Sequence, residues 1–94
     1  MALFAIYCKD KPGALETRLA TRPVHLDYLN ASKTLKLAGA LLDDDGSAIG
    51  SLLIVEAVDR ADAQAQADGD PFTKAGVFES VEVRPWRLAI GTVA

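Results

Sequence analysis

Hydrophobic positions fall in short runs separated by turn-forming residues. "LFAIYC", residues 3 to 8, is an apolar run ended by "KDKPG", whose proline and glycine mark a loop, and it predicts strand one. From Pro23 to about Leu37, the residues Val24, Leu26, Tyr28, Leu29, Leu35 and Leu37 approximate helical spacing. Pro23 suits the opening turn of such a helix, where no hydrogen bond needs the missing N–H, so His25 is expected in the first turn. "LAGALL", closed by "DDDG" at 43 to 46, predicts strand two, and "SLLIVEA" from Ser51 predicts strand three.

In "DRADAQAQADGDP" two signals conflict, because alanines at 61, 63, 65 and 67 alternate with polar residues as in a strand. Composition decides for a helix over about 60 to 68. Alanine and glutamine favour helices, Asp59 is a sound N-cap with Asp62 three residues on, and Gly69 then Pro71 form a stop. "VFESVEVRPW", 77 to 86, alternates as strand four, with Val77, Val81 and Val83 on one face.

The order βαββαβ predicts a ferredoxin-like α+β sandwich: a four-stranded antiparallel sheet with two helices on one face and strands one and three in the middle. Two helices cover one face only. The other face of strand one, either Leu3, Ala5 and Tyr7 or Phe4, Ile6 and Cys8, is left as an apolar patch, which predicts a symmetric homodimer with sheets packed face to face.

Composition narrows the partners. The 94 residues make one expected domain, half of them hydrophobic and 24% charged, which excludes a disordered class. A net charge of −3 with no basic tract opposes nucleic acid and anionic lipid. Apolar runs are far shorter than the roughly 20 residues that cross a bilayer, and "MALFAIYCKDK" lacks an export-signal pattern, so no membrane association and a cytoplasmic address are expected. Cys8, the lone cysteine, sits in strand one as an expected buried hydrophobe.

Two stretches stand out chemically. His25 in "TRPVHLDYL" is the single imidazole, and Asp70 in "DGDPF" follows the second helix on a loop. Side-by-side helices can bring these two together at one rim of the sheet. A carboxylate bonded to one imidazole nitrogen fixes the tautomer and raises the basicity of the other, as a general base requires. Each residue also has a plain structural alternative: Asp70 as the N-cap of a turn starting at Pro71, and His25 as a solvated first-turn residue.

Read together, the residues resemble the YciI-like family. The matching elements are "EXRLXXRPXHLXXL" (Glu16, Arg18, Leu19, Arg22, Pro23, His25, Leu26, Leu29), Gly50 and Ser51, the pattern Ala67, Asp68, Asp70, Pro71, "AGVFE" at 75 to 79, and "VRPW" at 83 to 86. The resemblance implies a ferredoxin-like domain of the dimeric α/β barrel superfamily with an active site centred on His25 and Asp70. It also implies dehalogenating elimination on ring substrates, an activity of some members. The link "LLDDDGSAIGS" between strands two and three is short and acidic here where longer versions occur.

Three further residues are candidates for binding a small-molecule substrate. Arg22, one helical turn before His25, can hold an anionic group, or be a solvated arginine. Ser51 can donate a hydrogen bond or attack as a nucleophile, or be a polar strand-start residue. Tyr7 can point its hydroxyl into the cleft or bury its ring at an interface. The consecutive carboxylates of "DDDG" do not follow calcium-loop spacing, one His and one Cys cannot close a zinc site, and no glycine-rich phosphate loop is present. The expectation is a cofactor-free and metal-free enzyme in which His25 transfers protons and Asp70 orients it, through a lyase-like or hydrolase-like step. The alternatives are a cofactor-free oxygenase or isomerase of the same superfamily, and a non-catalytic metabolite-binding or assembly module.

Overall fold

The computed structural model describes residues 1–93. Strands β1 (Ala2–Asp10), β2 (Leu35–Leu42), β3 (Ala48–Ala57) and β4 (Phe78–Trp86) form one antiparallel sheet in the order β2-β3-β1-β4. With helices α1 (Leu15–Ala31), α2 (Arg60–Asp68) and a single turn α3 (Pro71–Lys74), this is the ferredoxin-like arrangement, with β1 and β3 central as expected.

Alternation along β1 decides which face the helices cover. Phe4, Ile6 and Cys8 join Leu53, Val55 and Ala57 of β3 in the buried core, with Ala63 and Ala67 of α2 and Phe72 of α3 packed above them. The opposite face keeps Leu3, Ala5 and Tyr7, with Leu52 paired across from Tyr7. In α2, Ala63 and Ala67 lie one turn apart and point inward while Ala61 and Ala65 face out, so the alanine alternation is that of a helix. Asp59 caps it, accepting from the Asp62 N–H at 2.8 Å.

In β4 the pairing shifts between Lys9 and Asp10, which face Ser80 and Phe78. That bulge skips Glu79 and turns Phe78 inward beside Val81 and Val83. Val77, expected on the strand, lies just before it and is fully buried.

The first helix departs most from expectation. It starts at Leu15, not Pro23, and ends at Ala31, not near Leu37, so His25 lies well inside it. The preceding loop turns at Gly13 (φ 79°), and Ala14 opens the helix without a side-chain cap. Pro23 is accommodated because it faces solvent, where water can satisfy the carbonyl its absent N–H leaves unbonded. At the other end the Ser32 hydroxyl accepts from the N–H groups of Thr34 and Leu35, which turns the chain into β2. The α1 stripe over the sheet is Arg18, Arg22, His25 and Leu29, spaced i, i+4, i+7 and i+11. Three of its four members are basic or imidazole, so hydrophobic periodicity cannot mark it.

No helix among the described residues is long and apolar enough to cross a membrane.

Candidate active site

Where the α1 stripe crosses β3 it leaves a cavity of about 240 Å³, lined by Arg18, Arg22, His25, Ser51, Phe72 and small or aliphatic residues of α1, β2 and β3. Gly69 lets the chain bring Asp70 up behind His25, which lines the cavity. A side chain at Gly69 would place its Cβ 2.6 Å from the Tyr28 hydroxyl oxygen, so glycine lets the end of α2 approach α1 closely. Tyr28 in turn donates to the Gln66 carbonyl at 2.8 Å and ties the two helices together.

Asp70 then makes two contacts at once. Its Oδ1 accepts from the Phe72 N–H at 2.9 Å as the N-cap of α3, and lies 2.7 Å from His25 Nδ1. Both residues are buried. An oxygen already accepting from a backbone N–H, on a carboxylate that can only accept when ionised, requires the imidazole to supply the proton from Nδ1. His25 Nε2 is thereby left with its lone pair. Among the described residues it has no protein partner, and no enclosed polar side-chain atom lacks one, so Nε2 is open to the cavity that His25 lines. The Phe72 ring stacks on the imidazole, with centroids 3.7 Å apart and planes 11° off parallel, which holds the ring's tilt.

Beside the pair lies a buried ion pair. Arg18 Nη1 donates to both Asp10 oxygens at 2.9 Å, and Nη2 donates to the Gly50 carbonyl at 3.0 Å and to Ser51 Oγ at 2.9 Å. Its guanidinium carbon sits 4.6 Å from the centre of the Phe72 ring. Gly50 is required at this point because a Cβ there would come 2.5 Å from the Cys8 carbonyl oxygen.

Of the residues expected at the site, His25 and Ser51 are buried in the cavity lining, Asp70 is buried behind His25, and Arg22 stands exposed on the cavity wall. Tyr7 is not brought in. It belongs to the uncovered sheet face, half exposed, because β1 sends Ile6 and Cys8 toward the helices instead. The sequence reading missed Arg18, Asp10 and Phe72 as site residues. Arg18 stands in the family-like motif, but its place on the His25 face is signalled only by its seven-residue spacing from His25, which needs the true helix start to be meaningful. Cys8 is the expected filler: burial, with the nearby Asp70 and Asp10 carboxylates, pushes its thiol up to about 12, against the smaller opposing effect of Arg18. Burial and Asp70 likewise raise the Tyr28 phenol. Among the described residues no cluster of three or more His, Cys, Asp or Glu is placed to hold a metal ion.

Residues 2–87 match the YCII-related domain. Protein YciI of Escherichia coli is 40% identical to this chain, over 90% of it and 96% of its own length. The 5-chloro-2-hydroxyhydroquinone dehydrochlorinase of Burkholderia phenoliruptrix, solved in complex with 2,5-dihydroxybenzoquinone, superposes with a TM-score of 0.84 at 38% identity, covering 93% of this chain and 95% of that one. An antibiotic biosynthesis monooxygenase superposes at 0.58 with 14% identity over 96% of this chain and all of its own, a likeness of fold alone.

Proposed function

The chain belongs to the YCII-related domain family, and on that premise we propose that it is a small-molecule lyase in which His25 is the general base and Asp70 positions it. The observation that carries this is the 2.7 Å contact between His25 Nδ1 and Asp70 Oδ1 behind a cavity to which Nε2 is open. In the step envisaged the ring reacts as its keto tautomer, whose halogen-bearing carbon carries a hydrogen beside the halogen; Nε2 takes a proton from a ring hydroxyl, the electron pair left behind moves through the π system to that carbon, and halide leaves with its bonding pair. Proton and anion together are the HX eliminated, with no net oxidation. Asp70 stabilises the imidazolium formed, and the burial of both residues strengthens that interaction. Arg22 on the cavity wall suits an anionic substituent or the departing anion. A volume of about 240 Å³ fits a single-ring substrate, the size of the molecules named for the Burkholderia enzyme.

The test is release of chloride from 5-chloro-2-hydroxyhydroquinone and related halogenated hydroquinones under nitrogen. Chloride should appear in step with the quinone product and at the same rate without oxygen. Strict oxygen dependence would favour an oxygenase of the same fold, and no halide release across the series would contradict the proposal.

A homodimer is part of the same proposal. Supporting it is the uncovered sheet face, where Tyr7, Leu37 and Leu52 are 50%, 44% and 38% exposed; Tyr7 pairs with Leu52, and Leu37 pairs with Ile54, two residues along β3 from Leu52. Leu52→Glu places a charge at the centre of that face, beside β1. It should convert a dimer of twice the 10.0 kDa chain mass into monomer in analytical ultracentrifugation. A wild-type protein that sediments as monomer would exclude the dimer.

A further inference from the structure

The Arg18 network fixes what Ser51 can do. An arginine has five N–H donors. Both terminal nitrogens of Arg18 are committed: Nη1 to the two Asp10 oxygens, and Nη2 to the Gly50 carbonyl and Ser51 Oγ. Its charge is neutralised by Asp10, and both side chains are about 6% exposed, so Arg18 is held as structure and not offered to an anion in the cavity. Its effect reaches the cavity through Ser51. A guanidinium N–H only donates, so the bond occupies a lone pair of Ser51 Oγ and leaves the hydroxyl hydrogen unspent. Ser51 Oγ has no other partner among the described residues, while Ser51 itself lines the cavity.

We infer that Arg18 is a positioning residue that sets Ser51 as a hydrogen-bond donor into the cavity, and that the substrate is a small ring bearing a carbonyl or ionised hydroxyl oxygen for Ser51 to bind. The inference rests on the proposed proton abstraction by His25 and adds the group on the opposite side of the transfer. As Nε2 removes a proton, negative charge develops on the conjugated substrate oxygen. A hydroxyl whose oxygen already accepts a hydrogen bond from Arg18 is the stronger donor for it, and in an enclosed site it stabilises that charge more than in water. The same wiring argues against Ser51 as a nucleophile. A nucleophilic serine needs a neighbouring base to take its proton, and the neighbour here is a donor with no capacity to accept. Hydrolysis through a serine ester is therefore disfavoured, and elimination, which needs an acceptor of protons and a donor to oxygen, is favoured.

The test is a double-mutant cycle on binding of 2,5-dihydroxybenzoquinone, a ring with acceptor oxygens, followed by its absorbance. Ser51→Ala should weaken binding roughly tenfold. Arg18→Lys keeps a cation against Asp10 but cannot fork to Ser51 as well, and should weaken binding about three- to tenfold. Because Arg18 acts through Ser51, Arg18→Lys in the Ser51→Ala background should change nothing further. Losses that multiply in the double variant would mean that Arg18 merely supports the fold and would overturn the inference. So would unchanged affinity in Ser51→Ala, or no binding of the quinone by the wild-type protein. Ser51→Ala removes a single oxygen and keeps the interpretation open should Arg18→Lys fail to fold. The cycle reads equilibrium binding of the quinone and not turnover, so loss of chloride release in His25→Gln judges the catalytic proposal and leaves the assignment of Ser51 standing.

Discussion

Replacing His25 by glutamine is expected to lower elimination by roughly two to four orders of magnitude while leaving the protein folded. Glutamine keeps a polar side chain of similar reach facing Asp70, but neither of its amide atoms can accept a proton at neutral pH. The structural loss is small by comparison. His25 makes one side-chain hydrogen bond and one ring stack, on Phe72, and the stack contributes about 1 kcal/mol. Far-UV circular dichroism should match the wild type, and chloride release should fall to near background. A variant that still turns over within tenfold of the wild type would remove His25 from the chemistry.

Asp70 should separate into two functions when it is replaced in two ways. Its Oδ1 both orients His25 and caps α3. Asparagine caps a helix about as well as aspartate and can still accept from Nδ1, so Asp70→Asn should cost little stability. It supplies no negative charge to the imidazolium, and the rate should drop by roughly a hundredfold or more. Alanine removes both functions. Loss of the cap costs about 1 kcal/mol, and the stranded, buried Nδ1–H adds about 1–3 kcal/mol. Urea denaturation should therefore show a clearly lower midpoint for Asp70→Ala than for Asp70→Asn, with both nearly inactive. Equal stabilities would mean that the cap contributes nothing, and an active Asp70→Asn would mean that the charge does not matter.

The strands were legible because their inward faces are aliphatic and their ends carry strong turn residues, as at "KDKPG" and "DDDG". The second helix was legible through Asp59 and Gly69, although its alanines mimic a strand. The first helix was not, because its inward stripe carries Arg18 and His25 where a core helix has leucines, and because Pro23 inside a helix reads as a start. That one error hid the site's second half. With the helix taken from Pro23, Arg18 has no defined face, and its seven-residue spacing from His25 carries no meaning. Phe72 and Asp10 escaped for a related reason, since each is positioned by an irregularity, the α3 turn and the β-bulge, that leaves little trace in hydrophobic pattern. His25 and Asp70 needed only the expectation that two helices lie side by side, and in the structure they touch. For Tyr7 the sequence left both sheet faces open, and only the packing of Ile6 and Cys8 against the helices assigns it outward.

The most direct test of the proposed catalytic role is the tautomer of His25, read from long-range nitrogen–proton correlations of the imidazole in the native protein at a pH where the ring is neutral. The proton should sit on Nδ1, with Nε2 giving the shift of an unprotonated ring nitrogen, and Asp70→Ala should lose that preference. A neutral ring carrying its proton on Nε2 would present a donor to the cavity in place of a base and would contradict the role assigned to His25.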